Sequence, residues 1–163
     1  MSTPVELRIA ELFVGSKGET VTTNGVGSCV VVVIYDKVAR MGAIAHVILP
    51  HARPDDAKSP IGPDTSGRLF VKYADQAIDV LVRELERRGG VRTHMVGKLV
   101  GGAHMFALLE SDQHGIGWQN VAAARERLGM FGIPVETEVV GGTTGRNVRF
   151  DCSTGIVEIV TKV

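Results

Sequence analysis

Thr22-Thr23-Asn24-Gly25-Val26-Gly27-Ser28-Cys29 leads straight into Val30-Val31-Val32-Val33-Ile34-Tyr35, and after a polar connector the chain continues Gly42-Ala43-Ile44-Ala45-His46-Val47-Ile48-Leu49-Pro50. Both apolar runs are short and rich in β-branched residues, and neither alternates with polar residues. That pattern predicts two strands covered on both faces. The brief connector from Asp36 to Met41 makes an antiparallel hairpin the simplest pairing. With Tyr35 opposite Gly42, Cys29 lies across from Ile48 and His46 across from Val31. The thiol and the imidazole then share a face as a diagonal pair, about 7–8 Å apart at the backbone. A slip of one residue would put them on opposite faces, and the sequence leaves the register open. Gly25 and Gly27 remove side chains just before the cysteine, which suits a tight bend where backbone approaches another chain or a ligand.

Outward from this hairpin, Val5 to Val14 reads as a strand and Gly15 to Gly18 as a turn. Val21 to Asn24 predicts a short strand entering the glycine bend. His51 to Gly67 is a long polar loop interrupted by Pro54, Pro60 and Pro63. Arg68 to Arg88 carries Phe70, Tyr73, Ala74, Ala77, Ile78, Leu81 and Leu85 at helical spacing, so an amphipathic helix is predicted there, ended by Gly89-Gly90. Val91 to Val100 is a further buried strand, closed by Gly101-Gly102. A second helix covers Gly117 to Phe131 with Val121, Ala124, Leu128 and Phe131 inward. Val135 to Val139 alternates as a strand, and Arg146–Cys152 with Gly155–Val163 forms a terminal hairpin. Two helices among about six to eight strands predict an α/β sandwich with a mixed sheet. Residues 1–163 read as a single domain.

The chain has 163 residues, of which 44% are hydrophobic, enough for a real core. Its 18 basic and 18 acidic residues balance. That balance argues against nucleic-acid and membrane-surface binding, both of which usually need a basic excess. Apolar runs fall far short of the ~20 residues that span a bilayer. The start, Met1-Ser2-Thr3-Pro4-Val5-Glu6, lacks the pattern of a signal peptide. The expectation is a cytoplasmic protein without membrane insertion, with Cys29 and Cys152 as free thiols.

Several residues carry chemistry. Taken alone, Cys29 reads as a small buried hydrophobe, but the Gly-Val-Gly-Ser approach leaves its thiol accessible at a strand end. Its reactive form is the thiolate, and a neighbouring imidazolium would be needed to lower its pKa; His46 is the nearest candidate. Taken alone, His46 reads as a core histidine with a hydrogen-bond partner. Paired with Cys29 it can take the thiol proton and later give it to a leaving amine. A third group should orient the ring: Thr23 through its hydroxyl, with Asp36 a weaker rival at the far end of the hairpin. Backbone N–H groups around Gly27, Ser28 and Cys29 are candidates for stabilising an oxyanion. His51, His94, His104 and His114 are scattered without zinc spacing, and neither Gly101-Gly102 nor Gly141-Gly142 sits in a phosphate-loop motif. No metal and no cofactor is expected. Trp118 reads as packing at the start of the second helix.

Gly25-Val26-Gly27-Ser28-Cys29 followed by Gly42 to Pro50 closely resembles the CheD family, the chemoreceptor glutamine deamidases of bacteria and archaea. The likeness continues at Lys72-Tyr73-Ala74-Asp75, Gly101-Gly102-Ala103-His104-Met105-Phe106, Asn120-Val121, Gly141-Gly142 and Gly145-Arg146. Val26 stands where the family usually has leucine, a small apolar exchange. The resemblance implies a three-layer α/β/α sandwich with mixed β-sheets, similar to the catalytic domain of cytotoxic necrotizing factor toxins. It implies a Cys-His-Thr site with Cys29 as nucleophile, His46 as base and acid, and Thr23 as orienting group. The implied reaction is hydrolysis of a glutamine carboxamide on the cytoplasmic helices of a chemoreceptor, in chemotaxis adaptation. A phosphatase of the CheC type, acting on CheY-P, is an implied partner. The alternative is a non-catalytic regulator that binds receptors or such a phosphatase.

Overall fold

In the computed structural model, residues 3–53, 69–104 and 115–161 are described. The predicted hairpin stands at the centre. Strand β4 (Val30–Asp36) and strand β5 (Met41–Val47) are buried along their whole length. They pair antiparallel with Tyr35 opposite Gly42 and Val31 opposite His46. Strands this thoroughly covered need cover on two sides, and two layers supply it.

Ahead of the hairpin run β1 (Val5–Glu6), β2 (Glu11–Gly15) and β3 (Thr20–Val26). After it come β6 (Leu69–Phe70), helix α1 (Ala74–Arg87), a 3-10 turn at Arg92–His94, β7 (Met95–Gly101), helix α2 (Ile116–Met130), β8 (Val135–Val140), β9 (Arg146–Asp151) and β10 (Val157–Thr161). A six-stranded sheet has the order β6-β2-β5-β4-β7-β8, and a four-stranded sheet the order β1-β3-β9-β10. Both are mixed: β7 and β8 are parallel, as are β1 and β3.

The pleat of β4 shows how the layers stack. Val30, Val32 and Ile34 pack with Ile78, Leu81 and Leu85 of α1 and with Val121 and Leu128 of α2. Val31, Val33 and Tyr35 point the other way, into a second core with Val21, Val148 and Phe150 of the four-stranded sheet. Among the described residues the layer order is therefore helices, six-stranded sheet, four-stranded sheet. The resemblance implied helices on both outer faces; here the second outer layer is a sheet. Both sheets use the same two-residue period, so periodicity alone does not tell one sheet's strands from the other's.

Three expected elements change, one of them the strand expected from Val91, which begins only at Met95 after the Arg92–His94 turn. The strand expected over Val5 to Val14 is broken at Ala10, whose φ of 69° turns the chain from one sheet to the other. The helix expected from Arg68 begins only at Ala74, since Leu69–Phe70 instead pairs antiparallel with β2. Thereafter α1 behaves as its pattern predicts. It buries Ala74, Ala77, Ile78, Leu81 and Leu85, with Asp75 in its first turn and Arg87 in its last, each favourable to the helix dipole. A bidentate pair, Arg127 of α2 with Asp79 of α1 at 2.6 Å for both contacts, joins the helices. The terminal hairpin β9–β10 forms as predicted. Most of the 51–67 loop, from residue 54 on, lies outside the described residues, as does the 105–114 segment.

Candidate active site

The observed register puts Cys29 and His46 on one face. His46 lies directly across from Val31, and Cys29 stands two residues before Val31 on the same strand path. That face looks onto the four-stranded sheet. Cys29 packs there beside Val26 and Val31, and His46 meets Thr23 of β3. The ring and the hydroxyl are both sealed, at 1% and 0% exposure, whereas Cys29 is half-buried and reachable.

Thr23 fixes the state of the ring. Its Oγ1 lies 2.8 Å from the carbonyl oxygen of Leu7 and 2.7 Å from His46 Nδ1. A carbonyl only accepts, so the single hydroxyl proton goes to Leu7. The Thr23 oxygen must then accept from Nδ1–H. This leaves His46 protonated on Nδ1, with the lone pair on Nε2, and Nε2 is buried without a hydrogen-bond partner. Burial lowers the His46 pKa to about 4. Burial also raises the Cys29 pKa, offset in part by the residue's own backbone N–H beside the sulfur. The resting pair is therefore a neutral thiol and a neutral imidazole. The imidazolium expected to lower the thiol pKa is not the resting state, because a buried cation lacking a counter-charge is disfavoured. What the site offers is a base whose free lone pair is available at neutral pH.

The cysteine loop is held by its carbonyls. Gly27 O accepts from Ala103 N at 2.8 Å, and Cys29 O from Gly102 N at 2.7 Å. Ser28 O accepts from Asn120 Nδ2 at 3.0 Å. In a trans peptide the N–H points opposite to the C=O. With these carbonyls turned toward residues 102–103 and α2, the N–H groups of Ser28 and Cys29 face the other way. Among the described residues, the N–H groups of Gly27 and Ser28 meet no acceptor. Gly101 allows this close fit: a Cβ there would stand 2.3 Å from the Cys29 carbonyl oxygen, at a φ of 118°. Arg146, buried, ties the same corner together by donating to Gly101 O at 3.0 Å and Gly141 O at 2.8 Å.

Other candidates go elsewhere. Asp36 accepts from the backbone of Val38, Ala39 and Val91 at the far end of the hairpin and takes no part in orienting the ring. Cys152 is fully buried, and burial with Glu19 and Asp151 nearby pushes its pKa up to about 12. Both cysteines are free. His51 sits 3.5 Å from Asp75 in the first turn of α1. Among the described residues no three His, Cys, Asp or Glu side chains converge as metal ligands; His114 lies outside them. Trp118 is 49% exposed and not packed inward as expected. It lines a cavity of about 160 Å³ with Gly102, His104, Val121, Arg125 and Gly141. Through Gly102 this cavity borders the cysteine loop. Asn120 was visible in the sequence only as part of a family motif. The signal it gave was a polar residue on the inward stripe of α2, between Gly117 and Ala124.

A family model described as CheD chemotactic sensory transduction matches residues 54–161. Relatives align over almost the whole chain, and so across the cysteine and histidine strands as well. One is named probable chemoreceptor glutamine deamidase CheD 2, from Geobacter metallireducens; it is 38% identical over 98% of this chain and 94% of its own length. Another is the chemoreceptor glutamine deamidase CheD of Halalkalibacterium halodurans, 36% identical over 99% of this chain and 95% of its own. A relative from Pyrococcus abyssi, with a similar name, is 33% identical over 98% and 92%. No helix among the described residues is long and apolar enough to cross a membrane.

Proposed function

The chain belongs to the CheD family, and from that premise we propose that it is a protein-glutamine deamidase acting on chemoreceptors, with Cys29 as nucleophile, His46 as base and acid, and Thr23 as orienting group. The observation that carries the reading is the unpartnered Nε2 of His46, fixed by Thr23, on the face it shares with a reachable thiol. A merely structural histidine in a core would have both nitrogens satisfied.

The reaction starts from the neutral pair. As Cys29 sulfur bonds to the carboxamide carbon, its proton passes to His46 Nε2 and the carbonyl oxygen becomes an oxyanion. The N–H groups of Ser28 and Cys29, with Gly27 beside them, are the donors for that charge. The carbon–nitrogen bond then breaks, and the departing nitrogen takes the proton from Nε2 and leaves as ammonia. A thioester on Cys29 remains. Water attacks it while giving a proton to Nε2, the carbon–sulfur bond breaks, and the sulfur regains that proton. The product is a glutamate side chain. Dividing amide hydrolysis into two steps suits a poor electrophile. No metal or cofactor takes part in this scheme.

The substrate side chain is carried on a receptor's cytoplasmic helices, and the enzyme acts in the cytoplasm. The exposed ring of Trp118 and the cavity beside Gly102 give such a helix apolar surface bordering the cysteine loop. A CheC-type phosphatase as partner belongs to the same reading and rests on the family alone. The test is ammonia release from a receptor cytoplasmic fragment. Wild-type protein should release it, and Cys29→Ala and His46→Ala should each reduce release to background while keeping the native circular dichroism. Full activity in either folded variant sinks the proposal. The non-catalytic alternative predicts receptor binding without any ammonia.

A further inference from the structure

The ladder between β4 and β5 ends at the pair Val30 and Val47. Just beyond it two carbonyl groups converge, Ser28 O before the nucleophile and Ile48 O two residues past the base. Two acceptors cannot bond each other. Asn120 stands between them and donates from Nδ2 to both, at 3.0 Å and 3.2 Å. It is 0% exposed, on the buried face of α2 beside Val121 and Ala124. Its other amide atom, Oδ1, is buried without a hydrogen-bond partner. A buried acceptor left unsatisfied lowers stability. The residue therefore sits at this position with one half of its amide unmet and the other half fully engaged.

We propose that Asn120 is a positioning residue that supplies the missing rung of the hairpin and thereby sets the separation of the Cys29 sulfur from the His46 ring. The proposal rests on the deamidase reading for its consequence but not for its geometry. The chemical requirement is a donor with two hydrogens on one nitrogen, short enough to fit between α2 and the strand ends, and asparagine is the smallest side chain that provides it. Without the bridge, the Ser28 and Ile48 carbonyls would turn apart toward other donors. The loop and the strand end would separate, and the thiol would move off the imidazole. Asn120 touches neither reacting atom, so substrate binding should be spared and the chemical step slowed.

The experiment measures two readouts on the full chain. The first is alkylation of Cys29 by iodoacetamide across pH, which needs no receptor. The second is kcat and KM for ammonia release from a receptor fragment. Asn120→Leu keeps the volume and removes both bonds; it should lower kcat about tenfold or more, as sub-ångström to ångström misplacement does, with KM within about twofold. It should also lower Cys29 alkylation at neutral pH by a similar factor, giving the pH profile of His46→Ala. Asn120→Ser restores one donor and should recover part of both losses. Asn120→Leu that folds and matches wild type in kcat and in the alkylation profile overturns the proposal. If Asn120→Leu does not fold, Asn120→Ser decides: a kcat and alkylation profile equal to wild type overturns it, and a several-fold loss supports it. A wild-type chain that releases no ammonia fails the deamidase reading alone, since the alkylation comparison still judges the positioning role.

Discussion

Thr23 has one hydroxyl proton to place between a carbonyl and an imidazole, and the carbonyl of Leu7 takes it. The tautomer of His46, and hence its ability to act as a base, follows from that choice. Thr23→Val keeps the shape but leaves the Leu7 carbonyl and His46 Nδ1–H unpaired in the core. The expected result is a stability loss of about 1–3 kcal/mol in urea titration and a fall in kcat of about 10–100-fold from loss of ring orientation. Thr23→Ser should keep most of both. The depressed pKa of His46 adds a pH signature. The unfolded chain binds the proton near pH 6.5, whereas the folded one resists until about 4. Stability is therefore undiminished above pH 6.5, declines as pH falls from there toward 4, and levels off below, a total of about 3 kcal/mol. Equilibrium unfolding at pH 7 and pH 4.5 should show this loss in wild type and a smaller one in His46→Ala. Thr23 was legible in the sequence as a nearby hydroxyl. The proton inventory was not, because Leu7 reaches the site through β1, a contact that strand periodicity does not reveal.

At the scale of elements, the hairpin was the most readable part of the chain. Two apolar runs and a short connector point to a hairpin but leave its register open, and the observed register, with Tyr35 across from Gly42, is the one that aligns thiol and ring. What holds the hairpin's open end was less readable. Gly101-Gly102 reads in the sequence as a strand-end turn; in the structure Gly101 closes β7 and the Gly102 N–H clamps the Cys29 loop. Gly101→Ala would drive a Cβ onto the Cys29 carbonyl oxygen and strain a φ of 118°. Expected are a kcat loss of about 100-fold and a destabilisation of about 1–3 kcal/mol, read from ammonia release and thermal melts. The Leu69–Phe70 strand was read as helix because two residues carry too little period to tell the forms apart, and pairing with β2 decided the matter.

At the scale of the whole molecule, the site is a seam between sheets: His46 belongs to the six-stranded sheet, Thr23 to the four-stranded one, and Cys29 to the short segment that joins β3 to β4. In the proposed mechanism, the alignment of these three groups depends on how closely the sheets approach. Gly42 and Phe150 mark that approach, since a Cβ on Gly42 would lie 2.4 Å from the Phe150 ring. Gly42→Ala should lower stability by about 1–3 kcal/mol through overpacking. It should also reduce kcat, although Gly42 is at the opposite end of β5 from the thiol's partner strand end. A sheet-on-sheet arrangement with helices on one side could not be separated in the sequence from a sheet with helices on both sides, because outward-facing strands of either look alike. The central claim is that the chain hydrolyses a receptor glutamine and needs Cys29 to do so. Its most direct test is deamidation of a receptor fragment in ¹⁸O-labelled water, followed by mass spectrometry of the converted residues. The account predicts glutamate bearing one solvent oxygen, formed by wild-type protein and not by folded Cys29→Ala. Conversion at the wild-type rate by Cys29→Ala, or none by the wild-type protein, would contradict it.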